Sequence, residues 1–325
     1  MKNRIYTLAL SALLLAGCTQ EESTTIGEEV KMNFTANISN GMQSRAGEES
    51  GNEIIVDKMI CAVFKQENGE LTGEAIIREE IDIDTNGKVF FTPTLLRGYK
   101  YGIVFWAYKD GSEIYSTDDL SNITFNPAEN QDPTDGNLVV YTKTIKDITT
   151  DTSGENTTIS LTRPLAQVNV ATTQSDWDFV TDNHQEDFSS YTLILTNCCN
   201  TYNALTGEYS GNSTFKYEGQ LSESNKIDQK IILGTGYTFP ESTPNCSINV
   251  YVKDVESPIY TKEVPNIPTA ANHRTNIIPQ TTTDEEGNEV GGLMTGSVSF
   301  TVTLTEGYTT ETNRTPDDLK NTIEE

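Results

Sequence analysis

The sequence predicts an all-β protein folded as two tandem antiparallel β-sandwiches. Three observations carry this. Thr, Asn, Ser and Gly abound while Val, Ile, Tyr and Phe recur in short runs, a composition of strands and turns. Many of the runs place apolar residues at every second position, as half-buried strands do. Turn pairs such as Asn40-Gly41, Asn68-Gly69 and Asn86-Gly87 separate them at short intervals. A chain of 325 residues has room for about two domains of ordinary size.

In chain order, residues 1–17 read as a secretion signal. Lys2 and Arg4 precede an apolar run from Ile5 to Leu15, and Ala16-Gly17-Cys18 follows. A basic start, a short apolar stretch and a small-residue cleavage site define such a signal. The run is shorter than the roughly 20 residues of a membrane span. Leu15-Ala16-Gly17-Cys18 resembles a bacterial lipobox, which implies cleavage before Cys18 and acylation of its thiol, with palmitate a typical chain. Each buried methylene contributes ~0.8 kcal/mol, so two or more chains anchor stably. Residues 18–28 form a linker. Within it Thr19-Gln20-Glu21-Glu22 is similar to the surface-export signal of Bacteroidales lipoproteins, which implies a body held outside the cell on the outer membrane.

Charge narrows the partners. Lys and Arg total 22 against 48 Asp and Glu, a net charge of −26, and loss of the signal removes Lys2 and Arg4 as well. Such a chain does not bind nucleic acid through basic patches. Anionic headgroups repel it, so contact with the membrane runs through the lipid alone.

An N-terminal sandwich is expected over residues 29–146. Val30, Met32, Phe34, Ala36 and Ile38 form a regular half-buried strand. A polar, Gly-rich loop over 41–53 contains Arg45-Ala46. Strand-like runs follow at 56–64, 75–83, 89–91, 99–108, 122–125 and 138–145. The run at 99–108 is apolar on both phases, which predicts a central strand covered on both faces. The polar stretch 147–156 reads as a linker. A C-terminal sandwich is expected over 157–304. Ile159 and Leu161 share one phase; Ala166, Val168 and Val170 share the other. The phase flips at Pro164, which predicts a bulge there. Further strands are expected at 191–195, 202–205, 227–233, 247–252, 259–264 and 297–304, with one short helical turn around 176–180. Residues 305–325 are a polar, acidic tail.

Little in the chain carries chemistry. Cys61, Cys198, Cys199 and Cys246 lack CxxC spacing and a matching His pair, so no zinc site is read. Their disulfide pairing is open, and buried free thiols are the reading preferred. Asp82-Ile83-Asp84-Thr85-Asn86-Gly87 opens like a calcium loop, but Pro93 stands where the bidentate Glu belongs. Asn86-Gly87 there reads as a type I′ hairpin turn. His184 lies in a polar stretch, and His273 suits a structural hydrogen bond. No nucleophile elbow, P-loop or dinucleotide fingerprint appears, so the expectation is no enzyme, no cofactor and no metal. Trp106 reads as core. Trp177 is the candidate for a glycan contact, against a plug over the sandwich end.

The segment Leu161-Thr-Arg-Pro-Leu-Ala-Gln-Val-Asn-Val170 resembles the fimbrillin family, pilus proteins of Bacteroidales and their lipoprotein relatives. The lipobox, the stretch 33–47 (NFTANISNGMQSRAG) and the stretch 267–277 (IPTAANHRTNI) resemble it in the same order. The resemblance implies transthyretin-like sandwiches joined end to end. It also implies a protease cut after Arg45, which leaves Ala46 as the new terminus. The first strand then departs and a strand from another subunit fills the groove, by β-augmentation. The alternative for Arg45 is a plain exposed loop arginine. The tail departs from the pattern: Tyr308, Leu319 and Ile323 stand among charges with Pro316 between them, a poor donor strand. The expectation is a non-enzymatic surface lipoprotein of fimbrillin type, a structural, tip or anchor subunit whose partners are other such subunits and a surface ligand. The alternative is a glycan-binding surface lipoprotein of a nutrient-uptake system.

Overall fold

The computed structural model describes residues 27–38, 55–150, 156–184, 188–227, 229–253, 256–283, 289–290, 292 and 300–306. Cys18, Arg45, Ala46 and the tail beyond Glu306 lie outside the described residues.

Two sandwiches share one strand plan. In the first, a four-stranded sheet runs in the order Tyr141–Ile148, Tyr101–Tyr108, Lys58–Glu67, Glu70–Asp82. A three-stranded sheet faces it, with Asn33–Ile38 between Lys88–Phe91 and Asn156–Leu161. In the second, a four-stranded sheet runs Ser213–Gln220, Phe188–Cys198, Asn245–Val252, Tyr260–Val264. Ala166–Thr172 there lies between Lys230–Thr238 and His273–Pro279. In each sandwich the opening strand pairs antiparallel with one neighbour and parallel with the other. The sheets are thus antiparallel apart from these two junctions. Phe300–Glu306 pairs along His273–Pro279 and, among the described residues, has no counterpart in the first sandwich.

The strand expected to open the second half belongs to the first. Asn156–Leu161 pairs with Asn33–Ile38, and Ile159 and Leu161 enter the first core. The phase flip at Pro164 is therefore not a bulge. The chain leaves one sheet at Leu161 and enters another at Ala166, so the two phases report two different cores.

The Asn86-Gly87 turn also differs from expectation. Type I′ needs positive φ at both central residues. Asn68 (φ 53°) and Gly69 (φ 90°) meet this, whereas at the other turn only Gly87 (φ 74°) is positive. Asp84 is the reason: its Oδ1 accepts from the backbone N–H of Asn86 and of Lys88, both at 2.8 Å. Those bonds hold the carboxyl below its usual range, with the Lys88 N–H the larger cause.

Tyr101–Tyr108 is covered on both faces, as its composition demands. Ile103, Phe105 and Ala107 belong to the first core, while Val104 and Trp106 belong to the second. The second core spans the junction. A small sheet there joins Tyr115–Ser116 and Ile123–Phe125 of the first half to Thr201–Tyr202 and Tyr209–Ser210 of the second.

Candidate functional site

The candidate site is the first strand and the slot it occupies. Alternation sends Phe34, Ala36 and Ile38 into the core at 2 %, 0 % and 2 % exposure. Phe34 lies 6.4 Å from Phe91, which meets Phe105 edge-on at 6.3 Å. Val30 and Met32 are buried as well. Backbone bonds tie the segment down along its length. Gly27 N–H donates to Arg97 O, Met32 N–H to Pro93 O and Ile38 N–H to Gly87 O. Glu29–Lys31 pairs with Thr94–Leu96, and Glu28 faces Arg97 at 3.6 Å.

Departure of this segment would uncover Val30, Met32, Phe34 and Ile38. At ~1.5–3 kcal/mol for each large side chain, that is a gross loss of roughly 6–12 kcal/mol. It would also leave the inner edges of Lys88–Phe91 and Asn156–Leu161 without their ladder partners. A chain segment of matching alternation would recover both. The sequence revealed the strand but not its walls. Nothing local signals a parallel partner 121 residues downstream, where Thr35 Oγ1 donates to Asn156 Oδ1 at 3.1 Å.

The other sequence-selected residues fall elsewhere. Trp177 sits in the helix Gln174–His184, 7 % exposed and packed in the second core. It plugs the sandwich and offers little ring to stack on a sugar. His273 Nδ1 lies 2.6 Å from Ala271 O, a structural contact at the head of a strand. The thiols of Cys61, Cys198, Cys199 and Cys246 are all free and buried. Desolvation raises each of them, that of Cys198 to about 12. Among the described residues no group of His, Cys, Asp and Glu could hold a metal ion, and no helix is long and apolar enough to cross a membrane.

Two segments that share the fimbrillin resemblance meet in space. Gln167, Val168, Asn169 and Val170 pair with Arg274, Thr275, Asn276 and Ile277. Asn169 Nδ2 donates to Asn276 Oδ1 at 2.9 Å, and Asn169 Oδ1 accepts from Gln167 Nε2 at 3.0 Å and Thr235 Oγ1 at 2.9 Å.

Comparison with solved structures places the fold. A "putative cell adhesion protein" from Bacteroides eggerthii DSM 20697 superposes with a TM-score of 0.50 at 12% identity, covering 87% of this chain and 98% of that one. The tip fimbrial protein Mfa3 from Porphyromonas gingivalis gives 0.47 at 13% identity over 85% and 99%. The fimbrial anchor protein Mfa2 of the same organism gives 0.41 at 10% over 84% and 96%. Comparison with curated proteins gives no match. Residues 23–322 match one family across nearly the whole chain, and the protein belongs to that family, the "Family of unknown function (DUF6562)".

Proposed function

We propose that this chain is a fimbrial-type surface subunit that assembles by strand exchange. The observation that carries the reading is the placement of Asn33–Ile38. It is the internal strand of a three-stranded sheet, and of the sandwich's described residues only 27–32, with the short strand Glu29–Lys31, precede it, so the rest of the body follows from its far end. Removing it empties a slot without breaking any other strand. The loop that would have to be cut, with Arg45 and Ala46, follows it directly in sequence. Acylation at Cys18 would hold the unprocessed chain on the outer membrane, and cleavage after Arg45 would release the anchor and open the slot together.

The chain acts first as an acceptor. Its last described strand, Phe300–Glu306, is engaged along the whole of His273–Pro279, with Leu304 buried. Donation would require peeling that strand away, and the tail beyond it lacks apolar alternation. A tip or accessory position suits a subunit that receives a strand without giving one; an anchor would keep its first strand and its lipid.

N-terminal sequencing of protein shaved from the cell surface tests the reading. The expected terminus is Ala46, in oligomers that resist SDS and separate on boiling. A terminus at Cys18 in all of the material contradicts processing.

A further inference from the structure

We infer that the cleft where the two sandwiches meet is a binding site for a carboxylated sugar. The cleft holds about 400 Å³, a volume of the size used for small ligands. Lys143, Lys146 and Arg163 line it, and no carboxylate does. Acids outnumber bases 48 to 22 in the chain, so this is a local inversion of its character. The other large clefts follow the bulk: Lys216 shares one with Asp132 and Glu218, and Arg78 shares another with Glu74, Asp118 and Asp119.

The cations differ in freedom. Arg163 is buried, its guanidinium 5.3 Å from the Tyr141 ring centre and its Nη2 donating to Tyr141 Oη at 3.3 Å. Lys143 is exposed. Lys146 stands 3.5 Å from Glu70, an exposed ion pair of the weak kind, so a ligand carboxylate can recruit it. Glu208 stands beside the cleft, its carboxylate accepting from Thr206 Oγ1 at 3.1 Å.

The rest of the wall suits a sugar better than a bare anion. Tyr209, half-buried where its ring stacks on Tyr202 at 4.8 Å, adds an aromatic part to the wall, against which the C–H groups of a pyranose can pack. Exposed Thr162 adds a hydroxyl that donates and accepts. Lysine ammonium groups then take the carboxylate through charge-assisted bonds. The net negative charge does not forbid this. Screening over ~8 Å at physiological salt leaves an anion inside the cleft governed by the nearest charges, the lining Lys143, Lys146 and Arg163 against Glu70 and Glu208 at the rim, rather than by the charge of the whole chain. This inference stands apart from strand exchange, since none of these residues lies in the slot or in the loop that would be cut.

Saturation-transfer NMR on the full chain tests it, with hyaluronan tetrasaccharide, an alginate trimer and sialyllactose as probes and neutral chitotetraose as control. The expected result is binding of at least one acidic probe, weakened tenfold or more by the pair Lys143→Glu and Lys146→Glu, and no binding of chitotetraose. An unchanged thermal midpoint in the double variant confirms its fold, and Thr162→Trp, which fills the cleft, should abolish the signal independently. Failure of all three acidic probes, equal binding of the neutral control, unchanged affinity in both variants, or full displacement by 10 mM inorganic phosphate would overturn it.

Discussion

The rings of Trp106 and Tyr202 lie 6.1 Å apart across the junction, one from the central strand of the first sandwich and one from the second half. Trp106 also meets Tyr115 edge-on, and Tyr202 stacks on Tyr209 and reaches Phe239. An aromatic seam of this kind couples the two sandwiches through packed side chains.

The seam predicts coupled unfolding. Calorimetry should show one transition for the wild type. Trp106→Ala or Tyr202→Ala should cost about 3–5 kcal/mol and split the transition in two. A variant that loses stability but still melts in one step would show that other contacts couple the halves.

Asn169 predicts a cost that apolar packing cannot offset. Replacing it with Leu leaves Gln167, Thr235 and Asn276 without their buried partner. Each orphaned group costs roughly 1–3 kcal/mol. Urea unfolding should show Asn169→Leu far less stable than an exposed substitution such as Thr261→Leu.

The four buried thiols predict silence toward alkylation. Desolvation raises all four, Cys198 to about 12, so little thiolate is present at pH 8. Iodoacetamide should label none of the four in the folded chain and all of them in 6 M guanidinium. Labelling of the native chain would contradict the burial.

Asp84 predicts a pH effect of known sign. Its folded carboxyl is lowered, so its contribution is present above the ordinary range near ~3.9 and fades as pH falls through the folded value. Asp84→Ala should therefore lower the urea midpoint at pH 7, with the gap to wild type closing as the pH falls below the ordinary carboxylate range.

Local chemistry was legible in the sequence wherever a pattern had one meaning. The alternation from Val30 to Ile38 marked extended chain because no other element buries every second residue, but it did not show the break at Met32 that splits it into Glu29–Lys31 and Asn33–Ile38 with different partners. The double-phase run around Phe105 marked a strand covered on both sides. Partners far along the chain were not legible. Ile159 and Leu161 alternate in the same way whichever sheet they join, so only the tertiary pairing with Ala36 and Ile38 assigns them. The cationic cleft was equally hidden, since Lys143 and Arg163 are ordinary residues of two segments until the crossover at 162–165 brings them to one wall. Trp177 was ambiguous because a Trp beside two Asp residues suits an exposed ring and a helix plug alike; the helix turns its ring into the core.

The claim that matters most is that the first strand can be replaced, and a reversible lock tests it most directly. Thr35 faces Phe90 in the antiparallel ladder. Met32 N–H donates to Pro93 O and Ile38 N–H to Gly87 O, so by alternation Thr35 and Phe90 form a non-hydrogen-bonded pair, whose side chains approach closely enough for a disulfide. Phe90 is 67 % exposed, whereas Thr35 is buried and its replacement removes the hydrogen bond to Asn156, so Thr35→Cys alone is the control. The measurement is capture of the variant Thr35→Cys, Phe90→Cys, cleaved at Arg45, into SDS-resistant oligomers with donor subunits from the cell surface, with and without reductant. Strand exchange predicts monomers when oxidised and SDS-resistant oligomers once reduced. Oligomers of equal yield from the oxidised protein would contradict it.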